Sequence, residues 1–200
     1  MLVGVLALQG DVREHIHAFS DLPVDVVPVR TYAEIEGVDA LVIPGGESTT
    51  IAKLARSFGL FDLISTRIRA GMPTYGSCAG MILLADRVAN LAQDQETFGG
   101  LDISVRRNAF GRQVDSFEED LDVQGIIGGP MKGIFIRAPW VEEIGEQVEV
   151  LATVSISGVT HPVAVRSRHL LATSFHPEIS GDNRIHKFFV EEVCRDLSRI

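Results

Sequence analysis

The sequence predicts an α/β fold, with a mostly parallel central sheet flanked by helices and antiparallel strands added to it. Three observations carry that prediction. Short apolar runs rich in Val, Leu and Ile, bounded by Gly, Pro or Asp, recur early in the chain, as strands buried on both faces require. Helix-like stretches lie between and after them, and strand alternating with helix favours parallel pairing through crossovers. Past residue 90 the pattern changes to frequent short strands joined by short turns, which points to antiparallel pairing.

Residues 3–8 form the first apolar run and read as a buried strand. The run lacks a basic flank and is too short for a signal peptide or a membrane span. Residues 12–19 read as helix, 24–29 and 40–44 as strands, and 49–58 and 60–70 as helices. A further strand at 73–77 leads into an apolar helix from about 79 to 88, and a polar loop follows at 89–100. Strands are then predicted at 103–106, 133–138, 148–155, 159–166 and 170–175. The last segment reads as helical, with Ile185, Phe188, Phe189, Val193 and Leu197 on one stripe and Asp182 as its N-cap. No repeat or linker divides the chain, so residues 1–200 are expected to form one domain, large enough to bury a substantial core.

Lys and Arg number 18 against 27 Asp and Glu, a formal net charge of −9. That balance argues against nucleic acid or an anionic membrane as the main partner, because phosphate binding needs a basic surface. The hydrophobic fraction of 46% and charged fraction of 22% are those of a soluble globular protein. Two cysteines, Cys78 and Cys194, give no disulfide framework, so a reducing, cytoplasmic setting is expected.

Gly76-Ser77-Cys78-Ala79-Gly80 lies between a predicted strand and a predicted helix. It has the form of a nucleophile elbow with Cys in place of Ser. Small neighbours suit such a turn, and peptide dipoles at a helix start stabilise a thiolate. The alternative is a buried structural thiol in a glycine-rich turn. Cys194, beside the apolar stripe of the last helix, reads as a packed thiol. Ser174-Phe175-His176-Pro177-Glu178 ends a predicted strand, where residues i and i+2 point the same way. His176 and Glu178 would then project together, and a carboxylate holding an imidazole that faces a thiol is the logic of acyl transfer. Pro44-Gly45-Gly46-Glu47-Ser48 follows another strand, and its glycines free backbone amides for an oxyanion or a carboxylate. A plain turn with Ser48 as N-cap is the other reading. Arg106, Arg107 and Arg112 read as a solvated cluster. His15, His17, His161, His169 and His186 lack metal-ligand spacing, so no metal site is expected.

The Cys78 elbow followed a hundred residues later by His176-Pro177-Glu178 resembles the class I, triad-type glutamine amidotransferases. Longer stretches are similar, within that group, to the glutaminase subunits of pyridoxal 5′-phosphate synthase. They are Leu6-Ala7-Leu8-Gln9-Gly10, Pro44-Gly45-Gly46-Glu47-Ser48-Thr49-Thr50, Arg107-Asn108-Ala109-Phe110-Gly111-Arg112-Gln113-Val114-Asp115-Ser116-Phe117 and Phe135-Ile136-Arg137-Ala138-Pro139. The resemblance spans the chain with no departure at a catalytic position, although the acidic loop around 94–97 is longer than the family pattern.

The resemblance implies a flavodoxin- or Rossmann-like three-layer fold and hydrolysis of L-glutamine to L-glutamate and ammonia. The ammonia would pass to a separate synthase subunit, an activating partner in a hetero-oligomer. Cys78 would be the nucleophile, His176 the proton carrier and Glu178 its orienting group. The backbone amides of Gly46 and Ala79 would form the oxyanion hole. Glutamine would be held by Gly46, Glu47, Ser48, Arg107, Ile136 and Arg137. A cationic donor beside acceptors suits a substrate that bears both a carboxylate and an ammonium. No cofactor is implied. Three alternatives stay open: the glutaminase subunit of another synthase such as the histidine-pathway enzyme, a Cys-elbow stress protein of similar fold, and a non-catalytic subunit that kept the fold.

Overall fold

The structure is a computed structural model and describes residues 1–89, 95–109, 116–156 and 158–195. The first half contains β1 (Leu2–Leu6), α1 (Val12–Ala18), β2 (Asp25–Val29), α2 (Tyr32–Glu36), β3 (Ala40–Ile43), α3 (Ser48–Ser57), α4 (Phe61–Arg69), β4 (Thr74–Ser77), α5 (Ala79–Leu84) and β5 (Ala85–Ala89). Next come β6 (Leu101–Arg106), β7 (Ser116–Leu121), β8 (Met131–Ile136), β9 (Trp140–Ile144), β10 (Glu149–Ile156), β11 (Val159–Ser167) and β12 (Leu170–Thr173). The chain continues through α6 (Pro177–Ser180) and α7 (Arg184–Phe188), the latter extended by a π turn over Phe189–Val193.

A seven-stranded sheet in the order β10-β11-β12-β4-β3-β1-β2 forms the frame. Its pairs from β12 through β4, β3 and β1 to β2 are parallel, and β10 and β11 add antiparallel strands at one edge. The predicted fold class is therefore observed. Both faces are covered, as the side-chain alternation of β3 demonstrates. Leu41 and Ile43 join the apolar layer that holds Ile51, Ile64 and Leu83, whereas Ala40 and Val42 join the opposite layer with Phe19, Phe135 and Phe189. The stripe on the last helix is buried as expected at Ile185, Phe188, Phe189 and Val193; Leu197 lies outside the described residues. Among the described residues no helix is long and apolar enough to cross a membrane.

Several local expectations are corrected. The helix predicted to run to residue 88 ends at Leu84, and Ala85–Ala89 becomes β5, paired in parallel with β6. Long-range partners override the local pattern there: Asp86 accepts the Gly100 amide at 2.7 Å, and Arg87 pairs with Asp102 at 2.7 Å. The strands predicted at 103–106 and 133–138 do not extend the main sheet. They belong to a three-stranded sheet, β5-β6-β9, and a two-stranded sheet, β7-β8. The last strand stops at Thr173 rather than residue 175. The N-cap of α7 is Asn183, although Asp182 accepts the Arg184 amide at 3.1 Å. The predicted loop at 89–100 and the Arg107–Phe117 motif fall partly outside the described residues, at 90–94 and 110–115.

Candidate active site

Strand register brings the candidate residues together. Thr173 of β12 stands opposite Ser77 of β4, and Ile43 of β3 opposite Gly76. The residues that follow these parallel strands therefore emerge at one carboxyl edge of the sheet, where open α/β folds bind ligands. The Cys78 amide donates to the Thr173 carbonyl at 2.7 Å, and the His176 amide donates to Ile134 of β8 at 2.9 Å. These bonds fasten both chain segments beyond the strand ends.

Cys78 takes φ 48° and ψ −98°, and α5 starts at the next residue. This is the sharp strand-to-helix turn expected of an elbow. Its glycines are required by close approach: a Cβ on Gly76 would come within 2.5 Å of the Gly80 backbone, and one on Gly80 would strike the Ile43 carbonyl. Among the described residues, the non-glycine positions with positive φ are Cys78, Asn108, Arg137 and Arg168. The first three line one cleft, so backbone strain concentrates at the candidate site.

The His176 and Glu178 side chains meet, but not through an extended strand. Pro177 opens α6, His176 is its N-cap residue, and Glu178 lies in its first turn. Within that turn His176 Nδ1 and Glu178 Oε1 are 2.8 Å apart, and both residues are buried. Asp11 Oδ2 approaches the same nitrogen at 3.4 Å. Burial disfavours the His176 imidazolium. Hydrogen bonds donated to Asp11, the Cys78 sulfur and Glu178 outweigh burial and push its pKa up to about 12. Burial also raises the Glu178 carboxyl above its ordinary range, against the stabilising contact with His176.

The cleft beside Cys78 holds about 140 Å³. Gly46, Glu47, Ser48, Arg107, Ile136 and Arg137 all line it, together with Ala79. Arg107 therefore turns into a cleft rather than sitting in a solvated cluster. Its Nη2 donates to Glu47 Oε1 at 2.9 Å, and its Nη1 donates to Gln95 Oε1 at 2.9 Å and Thr49 Oγ1 at 3.1 Å. Arg106 instead pairs with Glu142, and Arg112 lies outside the described residues. The N-cap of α3 is Glu47 rather than Ser48: its carboxylate accepts the amides of Thr49 at 3.3 Å and Thr50 at 2.7 Å. The Ser48 hydroxyl donates to Gln95 Oε1 at 2.8 Å.

Sequence reasoning missed Asp11, Thr49 and Gln95. Asp11 follows the predicted first strand at the carboxyl edge of the sheet, and that position was its available signal. Gln95 gave none, since its partners Ser48 and Thr49 on α3 are far from it in sequence. Among the described residues, the ligand atoms of Asp11, His176 and Glu178 converge within 4.8 Å. A cation bound there would compete with the hydrogen bond between His176 and Glu178. Cys194 is remote in character: it is buried, and burial pushes its thiol pKa up to about 12.

Comparison with known proteins gives the family. The profile of the SNO glutamine amidotransferase family matches residues 5–195. Pyridoxal 5′-phosphate synthase subunit PdxT of Acidothermus cellulolyticus is 62% identical over 193 residues, covering 96% of this chain and 93% of that protein. The subunit of the same name from Kineococcus radiotolerans is 61% identical over 194 residues, covering 96% and 94%. A crystal structure of a glutamine amidotransferase superposes with a TM-score of 0.86 at 47% identity, covering 96% of this chain and 98% of the other.

Proposed function

Because this chain belongs to the SNO glutamine amidotransferase family, we propose that it hydrolyses L-glutamine as the glutaminase subunit of a pyridoxal 5′-phosphate synthase, using Cys78, His176 and Glu178. The observation that carries the reading is the buried thiol–imidazole–carboxylate constellation opening onto the cleft lined by Glu47, Ser48 and Arg107. Relatives 61–62% identical that are named as this subunit support the same role.

In this mechanism His176 takes the Cys78 thiol proton as the sulfur attacks the carbon of the glutamine side-chain amide. The amide oxygen takes negative charge facing the backbone N–H groups of Gly46 and Ala79. His176 delivers a proton to the amide nitrogen, the C–N bond breaks, and ammonia leaves with a thioester on Cys78. His176 then takes a proton from water as the water adds to the thioester, and glutamate departs with the thiol restored. Glu178 holds the imidazole in one orientation throughout. Arg107, Glu47, Ser48, Ile136 and Arg137 bind the amino-acid end of the substrate. The ammonia passes to a synthase subunit docked on this chain.

The test is made with that subunit present. Wild-type protein should release glutamate and support pyridoxal phosphate formation from glutamine. Cys78→Ala should fail on glutamine but recover synthesis with ammonium salt at mildly alkaline pH, where more of it is neutral ammonia. Glutamine hydrolysis that survives in Cys78→Ala would remove the nucleophile assignment. Failure of the wild type to support synthesis from glutamine would remove the pathway role.

A further inference from the structure

Behind the constellation lies a second buried pair that the mechanism above does not use. His15 on α1 and His186 on α7 are both fully buried. His15 Nδ1 and His186 Nε2 are 2.9 Å apart. The other nitrogen of His15, Nε2, is 3.0 Å from Ser77 Oγ and 3.5 Å from Glu178 Oε1. Glu178 Oε2 and His186 Nδ1 have no hydrogen-bond partner among the described residues. The groups facing Glu178 are His176 at the start of its own turn, Asp11 and His15 from the α1 segment, and Tyr75 from β4. His15 in turn faces His186, Ser77, Tyr75 and His176.

Both imidazoles are neutral near pH 7. Burial, then the neighbouring His186 and His176, hold His15 well below the ordinary histidine value. Burial lowers His186 to about 3 against the opposing pull of Asp182. Each ring therefore carries one N–H, and only two arrangements let them share a hydrogen bond. If His15 carried its proton on Nδ1, its Nε2 lone pair would face the Glu178 carboxylate, and the His186 Nδ1–H would be a buried donor without an acceptor. In the other arrangement His186 Nε2–H donates to His15 Nδ1, and His15 Nε2–H donates to Ser77 Oγ at 3.0 Å with Glu178 Oε1 beside it at 3.5 Å. This leaves only an acceptor unpaired, and it puts a donor against a buried carboxylate that is short of them.

We propose that His15, held in its Nε2–H form by His186, is a positioning residue that stabilises and aims the Glu178 carboxylate, and through it His176. The proposal rests on the glutaminase reading for its kinetic consequence but not for its tautomer. A donor to a carboxylate favours the charged form. Removing that donor raises the Glu178 pKa, so the acidic limb of kcat/KM moves to higher pH.

Two measurements test it. In nitrogen-15 NMR of the wild-type protein, His15 Nε2 should show the shift of a protonated ring nitrogen and Nδ1 that of a bare one; the reverse pattern overturns the proposal. Glutaminase activity is then measured against pH with the synthase subunit bound. His15→Leu should lower kcat by roughly tenfold, the loss of one N–H dipole held 3.5 Å from a charged group, with KM little changed and the acidic limb moved up. His15→Gln, which keeps an N–H donor at similar reach, should restore the limb and most of the rate. His186→Leu frees the His15 tautomer without touching Glu178 and should reproduce the limb shift. Ser77→Ala removes the nearer acceptor and should leave the limb in place. A limb that stays put in His15→Leu and His186→Leu, or moves with Ser77→Ala, overturns the proposal. Wild-type protein that is inactive on glutamine would sink the glutaminase reading and leave the NMR result to decide the tautomer.

Discussion

Cys78 is held in a backbone conformation that a side chain resists, with φ 48° and ψ −98°. Such a position costs about 1–3 kcal/mol and persists only where its surroundings enforce it. Glycine tolerates it and alanine does not, although glycine loses about 0.5–1 kcal/mol more on folding. Of two variants that lack the thiol, Cys78→Gly should therefore be more stable than Cys78→Ala by about 1 kcal/mol in calorimetry. Equal or reversed midpoints would show the turn to be relaxed. The two thiols should also separate chemically. A glutamine-like electrophile should add one equivalent at Cys78, while Cys194, whose pKa burial pushes up to about 12, stays unlabelled in the folded protein. Peptide mapping reads the site directly. Legibility at this scale followed chemistry: the Cys78 elbow and His176-Pro177-Glu178 stood out because few residue types do that work. His15 and His186 did not, because a histidine in sequence carries no sign of being buried against another.

The elbow between β4 and α5 works as an element because Gly76 and Gly80 let strand and helix touch. A methyl on Gly80 would strike the Ile43 carbonyl, and overpacking of this kind costs about 1–3 kcal/mol. Gly80→Ala should lower stability by that amount in denaturant titration and depress kcat, since α5 must shift and carry Cys78 with it. A variant with unchanged stability and rate would show the contact to be slack. The main strands and the larger helices could be read in sequence to within a few residues, because apolar runs and helical spacing are local signals. The segment at 85–89 could not. Its strand form comes from pairing with Leu101–Arg106, a partner absent from any local window. The turn at His176–Glu178 was also misread, since Pro177 starts a short helix where an extended chain was expected. The two side chains meet in either geometry, so the pairing was anticipated for the wrong local reason.

Across the whole molecule, the buried histidines should make the fold sensitive to mild acid. His15 and His186 are neutral in the fold, whereas unfolded histidine titrates near about 6.5. Below that pH the unfolded chain binds protons that the fold cannot, so stability falls as pH falls. Each histidine contributes up to about 1.4 kcal/mol per pH unit, and His186 continues to do so down to about pH 3. His176 has a raised folded value and acts in the opposite window. Its contribution is complete below about 6.5 and is lost as pH rises toward about 12. Thermal midpoints should drop between pH 6.5 and 5, and the slope should flatten in His186→Gln; an unaltered slope would mean that this ring is protonated in the fold. The sequence alone determined the α/β class, the family and the residue types of the site, because apolar periodicity, turn chemistry and the quoted motifs are written along the chain. Only the tertiary structure decided that Asp11 joins His176, that Gln95 and Thr49 hold Arg107, and that His15 stands behind Glu178. Those contacts join residues far apart in sequence, and parallel strand register and helix packing, rather than local pattern, bring them within hydrogen-bonding or ion-pair distance.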